Sequence, residues 1–543
     1  MPRARMRFRS LALVAALLVF TGITAIALPR SSLVLDGARY FWLDDDQMVS
    51  MRYARNLAEG AGFVWNPGER VEGYTSVGWT LAMAAVHVLP LSDAMFPLAM
   101  KIVAWLLGCC VIVLTDRALR QFVPQPGLSR SATLIALVLC FDLVFWSTNG
   151  FETTLLTALF LLAFVRIIDD SERGLARPST FLLVGALPLA RSDAFHLWAA
   201  LLVVSFSLRC GGSRVLASKA MWVRRAAFAA LLPLAHTAFR RWYYGQWLPN
   251  TYYLKVADYS GRFTSGLGYL KNFANTYIVV LVLVLAYAWW SRDRRGRWIV
   301  AASAVSIAHV LVVGRDIFPH FRYLAPWVPI FLVLAAAACV EFTATAPIAR
   351  RVLVGILAVT TIIGAGIRGF GTLAMLRDQN GGPETGLIAA VMIRQHARPE
   401  ATVAVTSAGV APYFSRRRAV DILGKTDAHI AHLHPRAGGD IGHGKFDIDY
   451  SLSRGPDLIV TPWSLDFNIE QLEPRYAVSP FIDNDYRVAL LRTRRFAEEY
   501  KDRALRIQYW WDDGDVSNAA IYARQGTPEA ESLTNWTPPI IGR

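Results

Sequence analysis

The chain has 543 residues, of which 54% are hydrophobic and only 18% charged, and its mean hydropathy is +0.34. A soluble domain carries about 25% charge, so this composition excludes a string of water-soluble domains, a disordered chain, collagen and a coiled coil. The formal charge of +15, from 56 Lys and Arg against 41 Asp and Glu, would suggest nucleic acid in a soluble protein; in a membrane protein it marks basic cytoplasmic loops, and no nucleic-acid partner is expected. Cys109, Cys110, Cys140 and Cys339 lie inside apolar runs, Cys210 sits at the edge of one, and no CxxC occurs. That pattern speaks against a thiolate metal site and a disulfide framework.

In chain order, apolar runs of roughly 15–22 residues recur between residues 10 and 373, and about 20 residues are needed to cross the hydrocarbon. The first, Ser10–Leu28, follows Arg3, Arg5, Arg7 and Arg9 and has no small-x-small cleavage site behind it. It reads as an uncleaved anchor with the N-terminus in the cytoplasm. Residues 29–94 then form the first outer loop. Within it Ser76–Leu89 is short, contains His87 and ends at Pro90; as a helix along the outer face it keeps every later basic loop inside. The expected crossings are Met95–Leu114, Ser131–Thr148, Thr154–Ile168, Thr180–Leu189, Ala194–Leu208, Ala226–Phe239, Phe273–Trp290, Trp298–Val313, Tyr323–Phe342 and Val352–Met375. With the anchor that makes about eleven spans. Arg117, Arg120 and Arg130, then Arg173 and Arg177, Arg224 and Arg225, Arg292 and Arg294, and Arg350 and Arg351 all fall inside, the positive-inside pattern.

From about Arg377 the composition turns soluble. Leu387–Gln395 reads as a helix, and Ala401–Thr406 and Leu458–Thr461 as buried strands, with Gly, Pro and Asp between them. The expectation is a polytopic α-helical membrane unit, residues 1–376, in the cytoplasmic membrane, followed by an extracytoplasmic α/β domain, residues 377–543.

This topology separates the chemistry. Inner loops hold little beyond arginine, whereas the outer segments Asp44–Thr75, Asn149–Thr153, Arg191–Asp193, Arg240–Lys271 and Gly314–Arg322 hold carboxylates, aromatics and asparagines. Their convergence points to a site at the outer leaflet. Asp44, Asp45 and Asp46 stand in a row, and adjacent carboxylates repel one another unless each is used. A helix N-cap explains one of them; a divalent cation (Mg2+, Mn2+ or Ca2+) and a general base are the uses open to the others. Met48, Met51 and Leu57 form an apolar stripe with Arg52 and Arg55 elsewhere, which predicts a helix lying on the membrane surface. The run from Arg240 and Arg241 through Tyr244 and Asn250 to Lys255 combines aromatics that stack on sugars with cations that grip phosphate. Asp316, His320 and Arg322 reach the same surface and suit a lipid phosphate, while Arg322 at a helix end equally suits snorkelling. Glu152 and Asp193 sit at the tops of helices, where a carboxylate is a functional candidate and Arg191 offers a structural ion pair instead. Asp427, His429, His432, His434, Asp440 and His443 gather in the C-terminal part without a zinc-type spacing.

The stretches Asp45–Leu57 and Val64–Thr75 resemble the terminal β-(1→2) arabinofuranosyltransferase family of mycobacterial and corynebacterial cell walls, within the GT-C superfamily of multi-spanning glycosyltransferases. Tyr243-Tyr244-Gly245, Leu248-Pro249-Asn250-Thr251, Asp316 to Arg322, Asp421 to Asp427 and Gly442-His443-Gly444-Lys445 fit the same family. The chain departs from it at Gly314-Arg315-Asp316 and Arg191-Ser192-Asp193, where the family has Gly-Gly-Asp and Arg-Pro-Asp. The resemblance implies transfer of a sugar, arabinofuranose above all, from a polyprenyl-phosphate donor to a cell-envelope glycan outside the membrane. On that reading Asp45, with Asp46, is the general base, and Arg240, Arg241, Lys255, His320 and Arg322 meet the donor phosphate. Arg52, Trp65, Asn66, Glu72, Tyr74, Glu152, Asp193, Tyr244, Asn250 and Asp316 contact sugar or acceptor, and the C-terminal domain holds the acceptor glycan. Another sugar, such as mannose, is the nearest variant. A transporter or flippase of lipid-linked sugars would need polar residues at mid-membrane and inverted repeats; the sequence shows no repeat, and its spans read as almost free of charge.

Overall fold

The structure, a computed structural model, describes residues 2–123, 128–210, 219–257, 259, 261–316, 318, 320–345, 348, 381–436, 441–461, 485–510 and 516–542. Its first part is helical: α1 (Pro2–Ala27), α2 (Asp45–Ala58), α3 (Val77–His87), α4 (Phe96–Phe122), α5 (Leu128–Leu139), α6 (Phe141–Thr148), α7 (Thr153–Glu172), α8 (Pro178–Ala190), α9 (Phe195–Cys210), α10 (Lys219–Tyr244), α11 (Asn250–Lys255), α12 (Arg262–Trp290), α13 (Arg295–Val313) and α14 (Val328–Thr345). Among the described residues five segments are long and apolar enough to cross a membrane: Leu11–Ser31, Phe96–Phe122, Arg262–Trp290, Arg295–Val313 and Ala325–Phe342. The chain is a multi-pass membrane protein. The pair α5 and α6, expected as one span, is apolar enough only when taken together and is bent by 48°, the shape of a broken span or a re-entrant loop, with Cys140 extended at the break.

The other expected crossings look different in the structure. Helices α8 and α9 have 13 and 16 residues, short of the ~20 that a straight crossing needs. Helix α7 ends in Asp169, Asp170 and Glu172, and Val352–Met375 lies outside the described residues. Nor are the helices as free of charge as the sequence suggests. Asp142 in α6 meets Tyr277 and His320, and Asp116 in α4 pairs with Arg120 and Arg130.

The loop after α1 starts with a hairpin of β1 (Ser32–Leu35) and β2 (Ala38–Phe41). Asp36 and Gly37 turn it, both with positive φ, the geometry a two-residue hairpin favours. Helix α3 has 11 residues, too short to span. Helix α2, expected on the membrane surface, is instead buried from Gln47 to Asn56. Its apolar stripe is real, but the arginines taken for its wet face serve a second piece of the chain.

That piece is C-terminal. Helix α15 (Gly381–His396) and helix α16 (Val410–Ser415) accompany a five-stranded sheet of β3 (Thr402–Val405), β4 (Arg418–Asp421), β5 (Leu458–Thr461), β6 (Ala504–Trp510) and β7 (Val516–Ala523). The order is β4-β3-β5-β7-β6, with β3 parallel to β4 and β5, and β7 antiparallel to β5 and β6. Strand side chains alternate between faces, and both faces are buried here. Val403, Val405 and Leu458 pack into one core with Trp42, Met48, Tyr53 and Trp65 of the first loop, whereas Ala404, Ile459 and Tyr522 pack with Phe446 and Leu452. A last strand, β8 (Ile541–Gly542), pairs with β1. The C-terminal part therefore shares its core with the first loop, and the C-terminal ends of β3 and β4 point their loops at α2.

Candidate active site

The three adjacent aspartates have three different uses. Asp44 is the N-cap of α2 and accepts from the Asp46 N–H at 3.0 Å. Asp45 accepts from the N–H groups of Gly409, 3.2 Å, and Val410, 2.8 Å, in the loop after β3. Gly409 is required there, because a Cβ would fall 2.0 Å from the Asp45 carbonyl oxygen. Asp46 takes two ammonium groups, Lys425 from the loop after β4 and Lys255 at 3.4 Å from the end of α11. Burial pushes the Asp45 carboxyl up to about 6, against the Val410 N–H and Lys425. Asp44 rises to about 7, because the charge of Asp46 adds to burial. Asp46 goes the other way: burial opposes its ionisation, but Lys255 and Lys425 hold it well below the usual carboxylate range.

Of the three, only Asp46 lines the large cavity beside it, about 330 Å3 in volume. Its polar wall carries Asp46, Asp193, Asp316, Arg191, Arg240, Lys255, Arg315, Arg322 and Lys425, and its apolar wall Pro188, Phe195, Pro233, Leu248, Val256, Val313 and Tyr323. Three of the four arginines of the wall are locked, while Arg315 is exposed. Arg240 pairs with Glu72 through two nitrogens. Arg191 bridges Glu152 at 2.5 Å and Asp193 at 2.6 Å, and Arg322 holds Asp316 at 2.7 Å. The lysines share a single carboxylate. A charged headgroup with a long apolar tail would find both its surfaces here.

Comparison with known proteins agrees with this geometry. ArnT from Cupriavidus metallidurans, solved bound to undecaprenyl phosphate, aligns with a TM-score of 0.51 at 11% identity, over 94% of this chain and 97% of that one. Its apo form gives 0.50 at 13% identity, over 88% and 95%. The chain has the GT-C fold of ArnT. It is 31% identical over 257 residues to the terminal beta-(1->2)-arabinofuranosyltransferase of Mycobacterium tuberculosis (strain ATCC 25618 / H37Rv), covering 45% of this chain and 40% of that relative. The Corynebacterium glutamicum protein of the same name is 26% identical over 341 residues, covering 54% and 47%. The resemblance read from the first loop is thus borne out, although the chain spans less than half the length of these curated relatives. A family model described as a domain of unknown function, DUF8728, matches residues 375–512.

Of the residues singled out from sequence, Asp46, Tyr74, Asp193, Arg240, Lys255, Asp316 and Arg322 line this cavity. Asp45 turns away from it, as does Arg241, which is exposed and donates to the Gly245 carbonyl. Glu72 and Glu152 stand behind the wall as partners of Arg240 and Arg191. His320, expected on phosphate, is turned to Asp142 at 2.9 Å, with Trp146 donating to its carbonyl. Arg52, Trp65 and Asn66, expected on sugar, instead tie the first loop to the C-terminal part. Arg52 donates to the carbonyls of Trp65, Pro412 and Arg417 and to Asn66. Trp65 donates to Ala408, and Asn66 to Ala419. Asn250 donates to the carbonyls of Gly424, Lys425 and Asp427, and Tyr244 to Phe63.

The sequence reading missed Lys425, His236 and His309, all in the wall. A lone loop lysine and two histidines inside apolar helices carry no spacing signal. The histidines of the C-terminal part sit apart on separate aromatics: His429 on Tyr450, His432 on Tyr253 and His443 on Tyr486; Asp440 lies outside the described residues. Among the described residues no three His, Cys, Asp or Glu side chains gather as a metal site. Asp44, Asp45 and Asp46 diverge to a helix cap, the loop after β3 and two ammonium groups.

Proposed function

We propose that the protein is a glycosyltransferase that moves a sugar, arabinofuranose by its relatives' names, from a polyprenyl-phosphate donor to a cell-envelope glycan. With the arginine-rich loops in the cytoplasm, the cavity opens at the outer face of the cytoplasmic membrane, and the C-terminal part is extracytoplasmic. The observation that carries this reading is a carboxylate, Asp46, held ionised by two ammonium groups at a cavity with an apolar wall and a polar wall in which arginines and lysines outnumber the carboxylates.

An ionised carboxylate at the cavity is what an acceptor hydroxyl needs. Asp46 takes the hydroxyl proton as the acceptor oxygen bonds to the anomeric carbon. The bond from that carbon to the phosphate oxygen breaks, and its electron pair leaves with the polyprenyl phosphate. Lys255, Arg322 and Arg240 face the oxygen where this charge collects. The apolar wall takes the first isoprene units.

The test uses purified full-length protein in lipid nanodiscs, radiolabelled polyprenyl-phosphoarabinofuranose and an arabinan oligosaccharide. Growth of the oligosaccharide by one arabinose is the expected result. Transfer from polyprenyl-phosphomannose in its place would move the assignment to another sugar, and no transfer from either would overturn it.

A further inference from the structure

We propose that Lys425 is a donor-phosphate-binding residue, so that the segment matched by the domain of unknown function supplies part of the active site. The inference rests on the polyprenyl-phosphate reading above and goes beyond it in assigning a catalytic part to a region with no assigned role.

The loop that carries Lys425 is built to deliver one side chain. It follows β4, and a crevice at the C-terminal ends of parallel strands is where open α/β sheets bind ligands. The Asp421 carboxylate closes the turn by accepting from Leu423 N–H at 3.1 Å, Thr426 N–H at 2.7 Å and the Thr426 hydroxyl at 3.0 Å. From outside, the Asn250 amide holds the carbonyls of Gly424, Lys425 and Asp427. Gly73 lets the loop come close, since a Cβ there would stand 2.9 Å from the Lys425 carbonyl oxygen. So much anchoring of backbone leaves the Lys425 side chain, only 14% exposed, as the part of the loop that enters the cavity.

Charge bookkeeping says what it is for. Arg240 and Arg322 are each matched by one carboxylate and Arg191 by two, in fixed, mostly two-point geometry, and Arg315 is exposed at the rim, whereas among the described residues Lys255 and Lys425 share Asp46 alone. The pair therefore holds one positive charge beyond its partner. An ammonium on a flexible stem re-aims more readily than a forked guanidinium. A phosphodiester entering the cavity draws both lysines off Asp46. The carboxylate then loses the charges that keep its proton affinity low, so donor arrival itself makes Asp46 a stronger base. Without a donor, Asp46 stays paired and the hydroxyls of water are not activated.

The test measures undecaprenyl phosphate binding to the purified full chain in nanodiscs, alongside melting temperature. Lys425→Ala is expected to weaken binding by about tenfold or more at unchanged melting temperature, and Lys425→Arg to keep most of it. Should the alanine variant not fold, Lys425→Gln keeps the stem and carries the same comparison. Wild-type affinity in the neutral variant would overturn the assignment and leave Lys425 as a counter-ion of Asp46 alone. Failure of the wild-type protein to bind undecaprenyl phosphate would instead strike at the polyprenyl reading itself.

Discussion

Asp45 and Asp46 are adjacent, chemically identical and close to the same C-terminal loops, yet one ends in a seam and the other at a cavity. In the seam, polar groups are consumed. Asp45 meets two backbone N–H groups, Arg52 spends its nitrogens on three carbonyls and Asn66, and Trp65 packs beneath the guanidinium, its ring 4.5 Å away. At the cavity, two ammonium groups share one carboxylate that still faces empty space. Burial and charge are common to both regions, so neither marks a site. What separates them is incomplete charge matching beside a void, which a ligand can complete.

The largest way to break the seam is Arg52→Ala. It withdraws the donors from the Pro412 and Arg417 carbonyls, and a loss of roughly 3–5 kcal/mol is expected, seen as a large fall in melting temperature. Transfer per folded molecule changes little. Gly409→Ala attacks the same seam more gently, since the new methyl must push the Asp45 backbone away. About 1–3 kcal/mol is expected, read in the same melting assay.

A smaller effect follows from Asp44, whose carboxyl stands at about 7 in the folded protein against an ordinary value of 3.8. The folded state then binds the extra proton between those values. Its contribution is fully present below about pH 4 and is lost as pH rises towards 7. Asp44→Asn keeps a cap on α2, and a melting-temperature series from pH 4 to 8 is expected to fall less steeply in this variant. The smallest effect belongs to Arg241, exposed on Trp247 outside the cavity. Arg241→Ala is expected to leave transfer within about twofold, with stability within ~0.5 kcal/mol.

Much of this was legible in the sequence. Three adjacent aspartates demanded three uses, and the structure supplies a cap, a seam contact and a cavity wall. Strand β5 matches its expected range, and β3 falls inside its own, because short β-branched runs between Gly, Pro and Asp leave little alternative. The pairing of α2 with the C-terminal part was not legible. A hydrophobic stripe tells which face is apolar, but Arg52 and Arg55 find carbonyls more than 350 positions away, and no local pattern encodes that. His320 was misplaced for a related reason: it takes a φ of +70, and nothing in its neighbours announces a turn towards Asp142. Lys425 was invisible because its importance lies in what the sheet aims it at.

The separation of seam from cavity is tested most directly by one pair of variants in one assay: the transfer rate of Asp46→Asn and Asp45→Asn in nanodiscs, with folded protein quantified for each. Asp46→Asn is expected to lose about 10²-fold or more, while Asp45→Asn, whose side-chain oxygen still accepts from the loop after β3, stays within about threefold of wild type. The reverse order, with Asp45→Asn inactive and Asp46→Asn near wild type, would put the base in the seam and contradict the site described.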